Sequence, residues 1–391
     1  MTRFIVFTVV LVAFSSLFHA MVHRWAIDAF PRLAPHRHKI AAVMAFFVVA
    51  APSARLLARR FQGGLASTLY AAVTIEAMIV ILSAPLLLLV RRVARWREAR
   101  AKAKGQPEPA AISRRQAIEA IGGSVTLAFN ATALGWGAVR GRHAFELEEV
   151  AVRIPGLPKA LDGYTLVQIS DIHVGTFIGD RELDEGFELV KKAKPDLVVV
   201  TGDMIDFDPS YGATWARAIQ RLTARDGVVT ILGNHDYYAG ARAVREAVEG
   251  VGARVLLNQG MVVRAADGGG FALLGVDDPT GASSVGAGPN LDAALRMVPE
   301  DRARILLSHQ PRTVDLWPGR IALQLSGHTH GGQVNFPGGK PRPADVVFRY
   351  VAGRYEVGGT TLWVNRGFGI AGPPTRVGAP PEVTKVVLVA G

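Results

Sequence analysis

The chain has 391 residues, enough for one core domain plus additional segments. Its composition is 49% hydrophobic and only 20% charged, which excludes a protein that is disordered as a whole. Because cysteine is absent, a disulfide framework, an iron–sulfur cluster, a thiolate zinc site and a cysteine nucleophile are all excluded.

The formal net charge of +11 is confined to the N-terminal third of the chain. Up to His143 there are 19 Lys and Arg against 5 Asp and Glu, whereas the remainder has 25 basic and 28 acidic residues. The basic excess lies beside long apolar runs, where anionic lipid headgroups are its natural partner. Since the slightly acidic remainder offers no basic track for a polyanion, we expect the membrane lipid bilayer as a partner and not a nucleic acid.

Four apolar runs predict about four transmembrane helices in a membrane region formed by residues 1–143. A helix of about 20 apolar residues crosses the hydrocarbon core of a bilayer. Glu76 is the one charged residue of the third run, and we expect its carboxyl group to face a neighbouring helix. A cleavable signal peptide would explain the first run but not the later three. The runs are residues 4–22, 40–57, 65–90 and 121–139.

The distribution of basic residues predicts the orientation of an integral inner-membrane or plasma-membrane protein. The two links that follow the first and third runs hold 13 Lys and Arg, and the opposite side holds 6, so the links should be cytoplasmic. The C-terminal part is then extracytoplasmic, provided that the fourth run crosses. The stretch Ser113–Gln116 either resembles a twin-arginine export signal or forms the basic flank of a membrane helix, and both interpretations agree with this orientation.

Residues 144–391 are long enough for one large α/β domain. Short apolar segments alternate with helical stretches, and this alternation predicts parallel strand pairing. Residues 142–161, with two prolines, are interpreted as a connector into this domain. The predicted strands are residues 166–170, 197–200, 228–232, 305–307 and 321–325, and the predicted helices are residues 182–194, 215–222 and 242–250.

Polar clusters follow all five predicted strands, where ligands bind in open α/β sheets. Five of the ten histidines lie in these clusters, and glycines at three of the strand ends fit tight turns. Oxygen and imidazole ligands without sulfur suit Mn²⁺, Fe²⁺, Zn²⁺ or Mg²⁺. The clusters are Asp171-Ile172-His173, Gly202-Asp203-Met204-Ile205-Asp206, Gly233-Asn234-His235-Asp236, Ser308-His309 and Gly327-His328-Thr329-His330.

The ordered pattern D-x-H, G-D-x-x-D, G-N-H-D, a later histidine and G-H-x-H resembles the calcineurin-like metallophosphoesterase family. The resemblance extends from about Leu166 onward. The form of the block Gly327–Gln333 and the membrane-linked N-terminus are most similar to bacterial membrane-anchored or exported phosphodiesterases and UDP-diacylglucosamine hydrolases. The resemblance implies an α/β fold, a metallophosphoesterase-type β-sandwich flanked by helices, preceded by an all-α transmembrane region.

The resemblance also implies a dinuclear centre with two divalent metal ions. Such a pair supplies a bridging hydroxide that attacks phosphorus and offsets charge on the phosphoryl oxygens. The implied ligands are Asp171, His173 and His330 for one ion, Asn234, His309 and His328 for the second, and Asp203 between them.

Three further residues receive roles from the same resemblance. His235 would be the acid that protonates the leaving oxygen, and Asp206 and Asp236 would orient ligands. A simple turn or helix-cap role is the alternative for both aspartates. Outside the motifs, Arg366 fits either a phosphate contact or a surface salt bridge, and the pair at residues 277–278 fits a turn better than a substrate contact.

The sequence therefore predicts a membrane-anchored, metal-dependent phosphohydrolase acting on a phosphoester, with a lipid- or envelope-linked substrate compatible with the tether. One alternative is a UDP-2,3-diacylglucosamine pyrophosphate hydrolase of lipid A synthesis, whose substrate is made at the cytoplasmic face. Another is a noncatalytic membrane sensor that retains the fold, which the intact ligand set disfavours. The motifs distinguish neither the substrate nor the metal.

Overall fold

The computed structural model describes residues 2–60, 64–107, 112–264, 268–284, 286, 288–336 and 338–391. The chain divides into two compact units, which are Met1–Trp136 and Gly137–Gly391. The boundary predicted from the sequence, between residues 143 and 144, stays a prediction.

Helices are the only regular secondary structure among the described residues of the N-terminal region. Each of the four apolar runs lies inside one long helix, and all four helices are long and apolar enough to cross a membrane. The third helix continues beyond its apolar run into the basic link. These helices are α1 (Thr2–Ala29), α2 (Arg37–Arg60), α3 (Gly64–Ala103) and α4 (Arg114–Val139).

Polar side chains inside this unit pair with one another across helices. The Glu76 carboxylate of α3 lies 3.2 Å from Nε2 of His19 on α1, so it faces a neighbouring helix as predicted. The Asn130 amide of α4 donates a 2.9 Å hydrogen bond to the Ser83 hydroxyl of α3. Such pairing is expected because lipid hydrocarbon offers no partner for a polar group.

The second unit is a sandwich of two six-stranded sheets with helices outside them. Within the described residues its strands are β1 (Glu146–Ile154), β2 (Thr165–Ile169), β3 (Leu197–Thr201), β4 (Val228–Ile231), β5 (Arg254–Val255), β6 (Gln259–Arg264), β7 (Gly270–Gly275), β8 (Ala303–Leu307), β9 (Leu323–Ser326), β10 (Gly353–Val357), β11 (Thr360–Val364) and β12 (Glu382–Ala390). Its helices are α5 (Asp180–Ala193), α6 (Gly212–Ile219), α7 (Asn234–Ala239), α8 (Ala241–Glu249), α9 (Pro279–Ser284) and α10 (Leu291–Leu295).

Both sheets are mixed. The first has the strand order β1-β12-β2-β3-β4-β5 and the second β10-β11-β9-β8-β7-β6. The predicted parallel pairing holds for β2, β3 and β4 and for β7, β8 and β9, whereas β12 runs antiparallel to β2. The predicted fold class, an α/β sandwich flanked by helices and preceded by an all-α region, is confirmed.

Alternating side chains of the central strands enter different cores. On β3, Leu197 and Val199 pack between the two sheets, whereas Val198 and Val200 pack against the outer helices. Strands buried on both faces read as continuous apolar runs, which is why the sequence located β2, β3 and β4 closely.

The interpretation of residues 142–161 as a connector is wrong. Nine of these residues form β1, which pairs in parallel with all nine residues of β12. Val152 and Ile154 are fully buried in the core between the sheets. The strand gives a weak sequence signal because its first half is acidic and its exposed face alternates with a buried one, a pattern typical of an edge strand next to prolines.

Candidate metal centre

The polar clusters predicted from the sequence meet at one edge of the sandwich. They occupy the loops after β2, β3, β4, β8 and β9, so the carboxyl ends of strands from both sheets contribute. Three overlapping groups have ligand atoms that all lie within 4.8 Å of one another. The groups are Asp171, His173 and His330; His173, Asp203 and His235; and Asp203, His309 and His328.

One side of the centre combines residues after β2 and β9. Nε2 of His173 lies 3.0 Å from Nε2 of His330, and the latter atom lies 3.5 Å from Oδ1 of Asp171. Oδ2 of Asp203 lies 3.6 Å from Nε2 of His173. All four side chains are almost completely buried.

The other side of the centre converges on His309. Its Nε2 lies 3.1 Å from Oδ1 of Asn234, 3.2 Å from Nδ1 of His328 and 3.3 Å from Oδ2 of Asp203. The same carboxylate oxygen of Asp203 therefore faces both sides. Its other oxygen, Oδ1, accepts a 2.8 Å hydrogen bond from the backbone N–H of His235, which fixes the carboxylate orientation.

The donor set fits divalent cations. One imidazole nitrogen of His309 can donate at most one hydrogen bond, yet an amide oxygen, a carboxylate oxygen and a second imidazole nitrogen all approach it. A cation among these lone pairs would satisfy all of them at once. Nitrogen and oxygen ligands without sulfur also suit the metals that the sequence predicts.

Backbone conformation at these positions is unusual. Five of the candidate ligands adopt left-handed backbone angles, with φ between 51° and 72°, at a cost of about 1–2 kcal/mol per residue. Strain of this kind clusters at functional sites. At Gly327, as the sequence predicts, a β-carbon would overlap the side chains of Ser170 and Asp171. The five residues are Asp171, His173, Asp203, His328 and His330.

Burial and charge set the protonation of the imidazoles. Burial lowers the pKa of His173 to about 4 and that of His328 to about 3, so both rings are neutral, as metal coordination requires. Burial would likewise lower the pKa of His309 and raise that of Asp203, but their mutual attraction is stronger. It holds the pKa of His309 well above, and that of Asp203 well below, the usual range.

His235 stands at the mouth of the centre, 14% exposed. Its ring centroid lies 4.5 Å from that of His173, and its Nδ1 lies 3.4 Å from Oδ1 of Asp206. Burial opposes a charged ring, but Asp206 and Asp203 outweigh it and raise the pKa of His235. This pairing directs Nδ1 to Asp206 and leaves Nε2 for another partner.

Asp236 caps a helix and also joins two loops of the centre. As the third residue of α7 it accepts a 2.9 Å hydrogen bond from the N–H of Gly233, and its other oxygen accepts one of 3.0 Å from Met204 in the loop after β3. Burial, reinforced by the nearby Asp203, raises the pKa of Asp236 to about 7. The cap interpretation thus accounts for the hydrogen bond from Gly233 but not for the one from Met204.

The candidate residues outside the motifs, Arg366, Asp277 and Asp278, form contacts within the protein. Arg366 forms ion pairs with Glu382 at 2.5 Å and with Glu146 at 3.0 Å, which matches the salt-bridge interpretation. Asp278 accepts a 2.8 Å hydrogen bond from the N–H two residues ahead, which matches a turn, and Asp277 accepts a 2.6 Å bond from the Tyr237 hydroxyl of α7.

Arg376 is a residue of the site that the sequence did not reveal. Its guanidinium is buried and donates hydrogen bonds of 2.8–3.0 Å to the carbonyls of Gly369, Arg366, Ala379 and Gly367. Burial lowers its pKa to about 9. The arginine therefore ties together the loop between β11 and β12, which packs against the loops that hold the candidate ligands. A single arginine in a Pro/Gly-rich stretch gives no sequence signal for this role.

Comparison with known proteins agrees with this geometry. Residues 164–332 match the family model described as calcineurin-like phosphoesterase. The chain is 32% identical over 289 residues to the uncharacterized metallophosphoesterase YkuE of Bacillus subtilis. This match covers 71% of this chain and 98% of that protein. The chain belongs to the calcineurin-like metallophosphoesterase family and is a hydrolase acting on phosphoester bonds.

Other similar proteins differ in extent. A transmembrane protein with metallophosphoesterase domain from Bos taurus is 32% identical over 254 residues, covering 62% of this chain and 56% of that one. The phosphodiesterase YaeI of Escherichia coli is 28% identical over 285 residues, and the match covers 71% of this chain and 100% of that protein. Among solved structures, the Haemophilus influenzae NAD nucleotidase NadN has a TM-score of 0.36 at 16% identity, and the match covers 52% of this chain and 50% of that one. The apolar helices and the transmembrane relatives together indicate a membrane protein.

Proposed function

We propose that the chain is a membrane-anchored phosphodiesterase or phosphatase that works with two divalent metal ions. The supporting observation is the carboxylate of Asp203, whose Oδ2 lies within 3.6 Å of both His173 and His309. A single carboxylate oxygen that faces candidate ligands on both sides would suit a ligand shared by two ions.

Seven residues would hold the ions, and the two sets share one carboxylate. When bound, the ions lower the pKa of water and offset the negative charge of the phosphoryl oxygens. One set is Asp171, His173 and His330, the other is Asn234, His309 and His328, and Asp203 belongs to both.

His235 is the proposed general acid. Its raised pKa favours the protonated ring, and Asp206 lies beside Nδ1 so that Nε2 can face the substrate. As the bond between phosphorus and the leaving oxygen breaks, the proton of His235 would pass to that oxygen. Asp206 and Asp236 orient the groups around it, the latter by joining the loops after β3 and β4.

The proposed location of this activity is the extracytoplasmic side of the inner or plasma membrane. The basis is the excess of basic residues in the two links, 13 against 6 on the opposite side. A phosphoester linked to lipid or to the envelope is the substrate within easiest reach of such a tethered enzyme.

The test is a hydrolysis panel with the full chain and Mn²⁺, comparing aryl phosphodiesters, phosphomonoesters, nucleotide-sugar lipids and phospholipids. We expect His235→Ala to lower kcat by about 10²–10⁴-fold, the usual contribution of a general acid, with metal content retained. Asp203→Ala should lose both metal and turnover, because it removes the shared ligand.

His143→Ala is the matched control, since this histidine pairs with Glu185 and belongs to none of the three groups. It should keep both metal and activity. Full turnover by His235→Ala would show that the acid is misassigned. A wild-type protein that binds metal but hydrolyses no member of the panel would contradict the proposed function as a whole.

A further inference from the structure

Two aromatic rings stand beside the proposed acid. The ring of Phe207, in the loop after β3, lies 4.5 Å from that of His235, and the ring of Tyr238, in α7, lies 5.4 Å from it. The rings of Phe207 and Tyr238 are nearly parallel, with an interplanar angle of 10° and centroids 5.9 Å apart. We call Phe207 and Tyr238 the aromatic platform.

The aromatic platform is open to solvent on the side of Tyr238. The tyrosine side chain is 56% exposed, although it lies at the edge of a centre whose ligands are almost all buried. A single exposed ring needs no explanation on a protein surface. The position of the Tyr238 ring does need an explanation, because the ring lies next to the group that would protonate a leaving oxygen.

The chemistry of that step fixes what must lie against the platform. A general acid acts within about 2.6–3.2 Å of the atom it protonates. The leaving oxygen therefore lies next to Nε2 of His235, and the group attached to that oxygen extends over the neighbouring surface. The rings of Phe207 and Tyr238 lie beside His235 and border that surface. Parallel rings favour a planar ligand that continues the stack over an aliphatic group of similar size.

We propose that the aromatic platform is a leaving-group subsite selective for a planar aromatic group, such as an aryl ring or a nucleobase. This inference rests on the proposed function because it uses His235 as the acid. It adds a substrate class, a phosphoester whose leaving group has a planar ring, and two specificity-determining residues.

The test measures binding without turnover. Benzylphosphonate and cyclohexylmethylphosphonate carry a methylene group in place of the leaving oxygen and so cannot be hydrolysed there. They present the same phosphonate to the metal centre and differ only in whether the six-membered ring is planar. Calorimetric titration of the full-length, Mn²⁺-loaded protein gives the ratio of the two affinities.

We expect the wild type to bind the benzyl compound about three- to tenfold more tightly, the range of one aromatic stacking contact. Tyr238→Phe and Tyr238→Trp should keep this ratio, because they keep a ring. Tyr238→Leu should bring it close to one, and Phe207→Leu should lower it. A preference that survives in Tyr238→Leu contradicts the subsite, as does a wild type without preference or without binding of either compound.

Two control variants define the position of the effect. Phe348→Leu removes a ring that lies 6.0 Å from His328, on the other side of the centre, and Met297→Ala removes a side chain as exposed as Tyr238. Neither variant should change the ratio of affinities. Loss of the preference in Phe348→Leu alone would show that the planar ring binds beside His328 and not on the aromatic platform. The readout also separates the two hypotheses. A preference for the benzyl ligand in a protein without turnover would keep the platform as a binding site for planar rings, but it would overturn the proposed function and with it the leaving-group role.

Discussion

The candidate centre depends on a few side chains whose partners decide their chemistry. His173 and His328 are held neutral by burial, whereas two carboxylates raise the pKa of His235, at the mouth. In the proposed function, the same residue type would therefore serve as a metal ligand in one position and as a proton donor in another. Asp206 contributes to the difference, because its Oδ1 lies 3.4 Å from Nδ1 of His235.

Asp206→Asn should change the pH dependence of turnover. Asp206 raises the pKa of His235, so its neutral amide would let that pKa fall. An acid must be protonated to act, and activity is therefore lost as pH rises through its pKa. For substrates with poorly acidic leaving alcohols, we expect the alkaline limb of the rate profile to move to lower pH in the variant.

The measurement is kcat/KM across the pH range for wild type and variant at saturating Mn²⁺. The substitution should leave metal content unchanged, because Asp206 belongs to none of the three ligand groups. An alkaline limb at the same pH in both proteins would exclude Asp206 as the residue that maintains the proton on His235.

At the scale of the element, β1 is part of the fold and not a tether. It closes the first sheet by covering the edge of β12, and Ile154 is fully buried in the core between the sheets. Ile154→Ala should lower the free energy of unfolding by about 2–5 kcal/mol, the usual cost of truncating a buried isoleucine.

Thermal or chemical unfolding in detergent measures this cost, and Arg153→Ala, on the exposed face of the same strand, is the control. The control should stay within about 0.5 kcal/mol of wild type. Equal stability of the two variants would mean that residues 146–154 are dispensable for folding, as a connector would be.

The loop between β11 and β12 depends on Arg376 in a similar way. Arg376→Met would leave the carbonyls of Gly369, Arg366, Ala379 and Gly367 without this donor in a buried site. At about 1–3 kcal/mol for each buried polar group left unpaired, we expect a clear fall in unfolding temperature. Mn²⁺ affinity should fall as well, because Arg376 also lies 3.5 Å from Nδ1 of His330.

Arg349→Met is the matched control for that experiment, since the Arg349 side chain is 73% exposed. It should change neither unfolding temperature nor Mn²⁺ affinity. Arg376→Lys should recover only part of the loss, because one ammonium group lacks the planar fork that reaches several carbonyls. A wild-type melting curve for Arg376→Met would contradict the positioning role.

Local sequence predicted the central strands and the candidate ligands because both signals are short in range. Apolar runs mark strands buried on two faces, and the motif residues follow directly after them. The edge strand β1, the left-handed backbone at His173 and the hydrogen bonds of Arg376 depend on segments far away in the chain. Leu147, for example, pairs with Val383 across more than half of the chain, and no local pattern encodes that contact.

At the scale of the whole molecule, charge and hydropathy differ between the N-terminal third of the chain and the remainder. The basic and apolar N-terminal third suits a bilayer with anionic headgroups, and the slightly acidic remainder concentrates its histidines in one metal centre. Burial of the candidate ligands keeps the centre out of bulk water, which strengthens its electrostatic interactions. The remaining choice is the compartment in which that centre works.

The absence of cysteine makes that choice measurable with single-cysteine variants. Arg242→Cys probes the catalytic unit at a side chain that is 91% exposed, and Lys104→Cys probes the exposed basic link after α3. Because the excess of basic residues predicts a cytoplasmic link and an extracytoplasmic C-terminal unit, a membrane-impermeant maleimide should label Arg242→Cys in intact spheroplasts. Lys104→Cys should react only after the membrane is permeabilised. The reverse pattern would place the hydrolase in the cytoplasm, where a substrate made at the inner face of the membrane becomes accessible to it.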